Sequence, residues 1–247
     1  MLNLATNKYG LSGNALKILA AVTMLIDHIG MMLFPSVTIL RIIGRLSFPV
    51  FSFMIAEGCA HTKNKLRYFS SVFALGAICQ LVLYLQRGNA KMCVLITFSV
   101  SIIVVYILQL LKNALFAPKK SFIKCSVAVC LFTLTVLGVY FLNRLISIDY
   151  GFWGCMAPAF ASVFKKPVSA TSPIWSKLDN NLFHTAMFGI CLTALSINYG
   201  KIQPYCLLAL PFLMLYSGRR GILKMKYFFY VFYPLHLALL EGISYLF

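Results

Sequence analysis

Acidic residues are scarce in this chain: its 247 residues include only five aspartates and glutamates, and all charged residues together make up 11%. Soluble domains carry roughly 25% charged residues. Because there is too little polar sequence to cover an apolar core with a hydrated surface, this composition argues against a water-soluble domain. Hydrophobic residues make up 61% of the chain, and a bilayer is the solvent that suits them.

Paired cysteine motifs are also missing, and no cleavable leader is expected. The eight cysteines are spread along the chain, and no two have the C-x-x-C spacing of a zinc or redox site, so no metal ion is expected. The first apolar run contains Asp27 and His28 and has no small-residue cleavage site, so we expect it to remain as a membrane span.

The apolar sequence falls into nine runs separated by breaks in hydropathy. A transmembrane helix needs ~20 mostly apolar residues, so each run is a candidate span. We therefore expect one all-α membrane domain over residues 1–247, a polytopic helix bundle with about nine transmembrane helices. The expected spans are residues 15–34, 39–60, 67–86, 92–111, 125–142, 150–164, 182–198, 203–217 and 227–247.

Basic residues give the chain a net charge of +17. In a soluble protein this balance would suggest a nucleic-acid partner. Here most of the basic residues lie in short segments between apolar runs, where lysine and arginine mark the cytoplasmic side, so no nucleic acid is expected. If the N-terminus is cytoplasmic, 16 of the 22 lysines and arginines lie inside and 4 lie outside, and the remaining two, Arg41 and Arg45, lie within the second span.

Ionisable side chains within the first two spans predict a functional site or a structural ion pair. Each one costs about 2.5–3.5 kcal/mol to insert, so it needs a partner or a role. Asp27 and His28 lie in the first span, and Arg41 and Arg45 share one face of the second. Because few residues join these spans, they should be antiparallel neighbours, and Asp27 should pair with Arg45 or Arg41. His28 could then serve as a base near neutral pH.

Two further sets of residues suggest sites. Glu57 and His61 are four positions apart at the inner end of the second span, which makes them either a competing acid–base pair or a hydrated interfacial pair. His236 follows Pro234 in the last span, where the proline can kink the helix and shape a cavity, although a histidine packed in the core is an equal alternative.

The inner loop at residues 216–221 reads YSGRRG and places Arg219 and Arg220 between glycines. Guanidinium groups bind phosphates well, so this loop predicts an anion site. The alternative is an ordinary positive-inside loop that contacts lipid headgroups.

Motifs at both ends of the chain resemble the TraX family, while residues 90–200 resemble it only in hydropathy. The matching stretches read LKI at 16–18, MLIDHIG at 24–30, LRIIGRLSFPVF at 40–51, IAEG at 55–58, HT at 61–62, ALP at 209–211, GRRG at 218–221, KYFFY at 226–230 and FYPLH at 232–236. TraX proteins are inner-membrane enzymes that N-acetylate conjugative pilin, and they are similar to a wider group of transmembrane acyltransferases.

The resemblance implies a bacterial inner-membrane enzyme that transfers an acetyl group from acetyl-CoA to a pilin-like envelope polypeptide. We expect His28 to be the base and Asp27 to be held by Arg45 or Arg41, because adjacent helical side chains diverge by about 100° and cannot form a relay. Glu57 with His61 is the competing base pair, and His236 is a third candidate. The residues expected to bind the donor are Arg219, Arg220, Arg41 and Tyr233.

The expected mechanism brings CoA from the cytoplasm into a cavity between the first, second and last spans. Two other activities stay open. One is O- or N-acylation of an envelope glycan or small molecule, and the other is proton-coupled secondary transport, although no inverted repeat is visible. Binding of CoA would separate the enzymes from the transporter. The sequence does not indicate the oligomeric state.

Overall fold

The computed structural model describes residues 10–87, 91–222 and 225–244. For residues 86, 87, 226 and 227 it describes the backbone only. The helices are α1 Gly13–Met32, α2 Thr38–Gly44, α3 Ser47–His61, α4 Lys65–Arg87, α5 Val94–Leu115, α6 Phe122–Leu145, α7 Gly151–Ser162, α8 Ile174–Leu178, α9 Asn181–Asn198, a 3-10 helix Gln203–Ala209, α10 Leu210–Met214 and α11 Lys226–Ser244. Lys8, Lys224 and the end of the ninth expected span lie outside the described residues.

The predicted fold class, a polytopic helical membrane protein, is confirmed. Each of the nine expected spans coincides with helical structure in the described residues. Five helical segments there are both long and apolar enough to cross a bilayer, and shorter apolar helices follow near the C-terminal end. The five are Gly13–Met32, Thr38–His61, Lys65–Leu85, Val94–Leu115 and Phe122–Leu145.

Two expected spans have irregular backbone. The second is interrupted at residues 45–46, between α2 and α3, although the mean hydropathy of Thr38–His61 is high enough for a membrane span. The eighth begins as the 3-10 helix with a proline in its first turn and continues as α10, which also begins with a proline. Pro211 has no N–H to bond to the Leu207 carbonyl four residues earlier, which fits the change from 3-10 helix to α-helix at this point.

One compact unit comprises residues 1–54 and 192–247. Within it, α1 packs against both α2 and α11, and the 3-10 helix packs against α2 and α10. Gly30 of α1 lies directly against Leu40 of α2, where an added Cβ would lie 2.6 Å from the Leu40 Cβ. A missing side chain therefore lets these two helices approach closely, as small residues do at membrane helix contacts.

The second compact unit comprises residues 55–191. Its centre is α5, which packs against α4, α6 and α7. Small residues line the buried part of α7, among them Gly154, Ala157 and Ala161, and they allow close helix packing. Buried serine hydroxyls in α5 bond to carbonyls of their own helix, as Ser101 does to Thr97 at 2.9 Å, whereas the Thr97 hydroxyl donates to the carbonyl of Asp149 at 2.8 Å.

Candidate functional site

Asp27 is the centre of a partly buried ion cluster in the first unit. Its Oδ2 accepts a hydrogen bond from Arg41 Nη1 at 2.9 Å, and Arg45 Nη2 donates to both carboxylate oxygens at 2.7 and 2.9 Å. The expected pairing of Asp27 with an arginine is confirmed. The sequence predicted Arg45 or Arg41 as the partner, and the structure shows both. One carboxylate and two guanidinium groups leave the cluster with a net charge of +1.

The arginines are themselves held in place. Arg41 Nη1 also donates to the backbone carbonyl of Asp27 at 3.2 Å, and Arg45 Nε donates to the carbonyl of Arg41 at 3.2 Å. Arg45 Nη1 lies 3.4 Å from Oε1 of Gln203, which is buried at the start of the 3-10 helix. Gln203 was missed by the sequence argument because a glutamine at the edge of an apolar run carries no costly charge.

Gly44 brings α2 against the Asp27 side chain. A Cβ built at Gly44 would overlap the Asp27 Cβ, Cγ and Oδ1 atoms. Since a carboxylate is rigid and its oxygens are already bonded to arginines, it has little room to move. Glycine at position 44 is therefore a steric requirement of the ion cluster.

His28, the residue after Asp27, points to a different partner. Its Nδ1 lies 2.9 Å from Nε2 of His236 in α11, and the two ring centroids are 5.0 Å apart. The expected divergence of Asp27 and His28 is thus observed: one meets the arginines and the other meets α11. The sequence analysis placed both histidines beside one cavity between the first, second and last spans, but it did not predict a direct contact between rings 208 positions apart.

A backbone carbonyl fixes the direction of the hydrogen bonds through the two imidazoles. Nδ1 of His236 lies 2.7 Å from the Phe232 carbonyl, which can only accept, so this nitrogen carries a proton. In neutral His236 the Nε2 is then an acceptor, and His28 Nδ1 must donate to it. Neutral His28 therefore has its basic lone pair on Nε2.

Aromatic rings hold the His236 imidazole in place. Phe232 stacks on it with the ring planes 16° apart, and Tyr233 meets it edge-on with ring centroids 5.6 Å apart. Tyr233 is buried, as is His236. Tyr233, an expected donor-binding residue, therefore contacts His236 of the histidine pair.

Glu57 and His61 belong to the second unit. Glu57 forms an ion pair with Lys165, and both side chains are largely buried. His61 Nδ1 lies 3.7 Å from Glu57 Oε2 and 3.0 Å from the Glu57 carbonyl, but 71% of the His61 side chain is exposed. Lys165 was not anticipated as the partner of Glu57, because 108 positions separate them and the sequence placed it among many inner-side lysines.

Lys112 is a second buried lysine of this unit that the sequence argument treated only as a marker of topology. Lys112 is only 6% exposed. Its Nζ donates to the carbonyls of Ser162 and Lys165, at the C-terminal end of α7. Its ammonium also lies 5.6 Å from the centroid of the Trp175 ring. A cation at a helix C-terminus satisfies carbonyls that lack helical partners.

Arg219 and Arg220 lie in the first unit, against the N-terminal end of α1. Their backbone carbonyls accept hydrogen bonds from the amides of Gly13 at 2.7 Å and Asn14 at 3.0 Å. Arg219 also lines a cleft of about 470 Å³, together with Asn14 and Gly221. Gly221 has a φ of +94°, a left-handed conformation that glycine adopts without strain.

Comparison with known proteins gives a family for the whole chain. A family model described as "TraX protein" matches residues 12–244. The chain is 24% identical over 254 residues to "Probable fimbrial assembly protein FimC, serogroup H1" of Dichelobacter nodosus, covering 91% of this chain and 92% of that protein. It is also 60% identical over 38 residues to "Uncharacterized protein RP591" of Rickettsia prowazekii (strain Madrid E), 15% of each chain.

No solved structure matches the chain. The family match covers almost all of the described residues, including the Asp27 cluster, the histidine pair and the Arg219 loop. The chain therefore belongs to the TraX family.

Proposed function

We propose that this chain is a membrane-embedded N-acetyltransferase that moves an acetyl group from acetyl-CoA to an amine, such as the amino terminus of pilin or another envelope polypeptide. Membership of the TraX family supports this proposal, and so does the relative from Dichelobacter nodosus, which is described as a fimbrial assembly protein. We place the enzyme in the bacterial inner membrane, where cytoplasmic acetyl-CoA and a membrane-anchored acceptor can meet.

The observation that carries the proposal is the hydrogen-bonded chain from the Phe232 carbonyl through His236 to His28. It leaves the basic lone pair of neutral His28 on Nε2, as a general base requires. The neutral amine of the acceptor attacks the thioester carbonyl carbon and forms a C–N bond, while His28 Nε2 takes the proton from the attacking nitrogen. The C–S bond then breaks, and the departing CoA thiolate takes that proton from the His28 imidazolium.

Asp27 precedes His28 on α1, and its cluster is proposed to supply positive charge to the same site. Arg41 uses Nη1 for Asp27, and among the described residues its other guanidinium N–H groups have no hydrogen-bond partner. Donors of this kind stabilise the oxyanion that forms on the thioester carbonyl. We therefore assign Arg41 to the donor carbonyl, and we assign Asp27 and Arg45 to positioning Arg41.

Two other assignments complete the proposed site. Tyr233 packs against His236 and would line the path of the donor, while Arg219 and Arg220 would bind its phosphates. His61 with Glu57 stays the competing base. His61 is the weaker candidate base because its side chain is exposed. Glu57 is also held by Lys165, so its carboxylate is less available to orient the His61 imidazole.

The direct test is acetyl transfer by the purified protein in nanodiscs, using radiolabelled acetyl-CoA and a pilin-like peptide with a free amino terminus. We expect mass spectrometry to find one acetyl group on the terminal nitrogen. The same peptide with a blocked amino terminus is the matched control. Failure to label any free-amine peptide, lipid-linked amine or envelope polypeptide would refute N-acetyl transfer. Labelling of a glycan alone would shift the assignment to O-acylation.

Sidedness provides a second test. In sealed vesicles of known orientation, we expect transfer only when acetyl-CoA is present on the face that carries the Arg219 loop, the predicted cytoplasmic face. Equal rates with donor on either face would contradict a donor path that starts at this loop.

A further inference from the structure

Gln203 lies against the Asp27 cluster at the start of the 3-10 helix. The turn before this helix is closed by the Gln203 backbone amide, which donates to the Gly200 carbonyl at 3.3 Å, and Gly200 has a left-handed φ of +84°. Gln203 is only 3% exposed, and its Oε1 lies 3.4 Å from Arg45 Nη1. The fold therefore buries a neutral polar side chain beside one of the two guanidinium groups that hold Asp27.

The Arg45 guanidinium fixes the orientation of the Gln203 side-chain amide. A guanidinium can only donate, so the amide must turn its oxygen toward Arg45. The buried Nε2 lies near the Cys206 thiol, one 3-10 turn further on, and forms no ordinary hydrogen bond within the part of the chain that the structure describes. Since Ser196 donates its hydroxyl to the Leu192 carbonyl, the Cys206 S–H, 3.5 Å from Ser196 Oγ, donates to Ser196 and leaves a sulfur lone pair for the amide.

A carboxylate at position 203 would hold Arg45 more strongly than this amide does. Hydrogen bonds between a carboxylate and a guanidinium are roughly twice as strong as neutral ones, and a bond as long as 3.4 Å is weak. A second carboxylate would also match the two guanidinium groups and change the net charge of the Asp27 cluster from +1 to 0. The amide thus forms a weaker bond but keeps the positive charge, which a site for a developing oxyanion requires.

We propose that Gln203 is a positioning residue for acetyl transfer, which holds Arg45 against Asp27 and, because it is neutral, preserves the positive charge of the cluster for the oxyanion on the thioester carbonyl. Charges act over several ångströms in a low-dielectric interior, so Gln203 does not need to touch the substrate. This inference rests on the proposed acetyltransferase function.

Gln203→Glu separates this role from a merely structural one. The variant keeps an acceptor for Arg45 but cancels the net charge, so we expect an unchanged or higher Tm together with a kcat that falls ~10- to 100-fold, part of the usual effect of an oxyanion donor. The KM for acetyl-CoA should change less than ~3-fold, because the lost charge acts on the transition state. A merely structural glutamine predicts instead a wild-type kcat in this stable variant.

Gln203→Met keeps the length of the side chain and the net charge but removes the acceptor. Here we expect a lower Tm and a smaller fall in kcat, ~3- to 10-fold, the loss of one hydrogen bond. Asn198→Asp is the matched control, because it makes the same amide-to-acid exchange at an exposed position of the same unit. It should keep the wild-type kcat, since water and salt screen an exposed charge. All rates are measured in nanodiscs with radiolabelled acetyl-CoA and a free-amine peptide.

The contact between Gln203 and Arg45 has a test that does not need activity. Gln203→Met and Arg45→Gln should each lower the Tm, and the double variant should lose less than the sum of the two shifts. Additive shifts would overturn the inference whether or not acetylation is observed.

The two proposals fail differently. Acetyl transfer by the wild type with an unchanged kcat in Gln203→Glu, or an equal fall in Asn198→Asp, would leave the enzyme function standing and remove the role of Gln203. A wild type that acetylates no acceptor would remove both.

Discussion

Replacing Asp27 with asparagine removes the charge that holds two arginines together. Asp27 accepts side-chain bonds from Arg41 at 2.9 Å and from Arg45 at 2.7 and 2.9 Å, and its side chain is 15% exposed. Removing one partner of a buried ion pair costs about 3–5 kcal/mol because the other charge is left uncompensated. Since 24% of the Arg41 side chain is exposed, we expect the lower end of that range, a loss of ~3 kcal/mol.

The assay is reversible unfolding in mixed detergent micelles, applied to the wild type, Asp27→Asn, Arg45→Gln and the double variant. If the contact is direct, the double variant should lose ~1.5–3 kcal/mol less than the sum of the single losses. Asp149→Asn is the matched control, since its carboxylate binds Lys91, whose side chain is 51% exposed; it should cost no more than ~1 kcal/mol. Additive single effects, or an Asp27 variant as stable as the Asp149 variant, would refute the proposed ion cluster.

Two further predictions concern packing and a buried charge. Gly44→Ala should lower the free energy of unfolding by ~1–3 kcal/mol because its Cβ would overlap Asp27. Gly138→Ala, whose Cβ meets open space among the described residues, should instead raise it by ~0.5–1 kcal/mol; equal changes would contradict the close contact. Lys112→Met should cost ~1.5–3 kcal/mol by leaving the end of α7 without its cation, whereas the exposed Lys124→Met should stay within ~0.5 kcal/mol. A Lys112 variant as stable as the Lys124 variant would exclude the capping role.

The sequence predicted the helical membrane fold and the Asp27 pairing because both follow from short-range rules. Long apolar runs must become helices in a bilayer, and a charge within such a run needs a partner. The brief connection between the first two spans left Arg41 and Arg45 as the partners within reach of Asp27. Helical geometry also separated His28 from Asp27, as observed.

Contacts between distant segments could not be predicted in the same way. The pairing of His28 with His236 and that of Glu57 with Lys165 depend on which helices pack together. A single sequence with several basic loops offers many lysines and arginines that could equally pair with Glu57. The break after Gly44 was also unforeseen, because hydropathy averages over a span and does not register a local change of backbone direction.

Exchanging the two candidate bases is the most direct measurement of the central claim, that His28, oriented by His236, takes the proton during acetyl transfer. The rates of His28→Gln and His61→Gln should be compared in the same nanodiscs, with saturating acetyl-CoA and a free-amine peptide. We expect His28→Gln to lower kcat by ~10²- to 10⁴-fold, the usual contribution of a general base, and His61→Gln to stay within a few-fold of wild type. Full activity in His28→Gln with loss in His61→Gln would contradict the account.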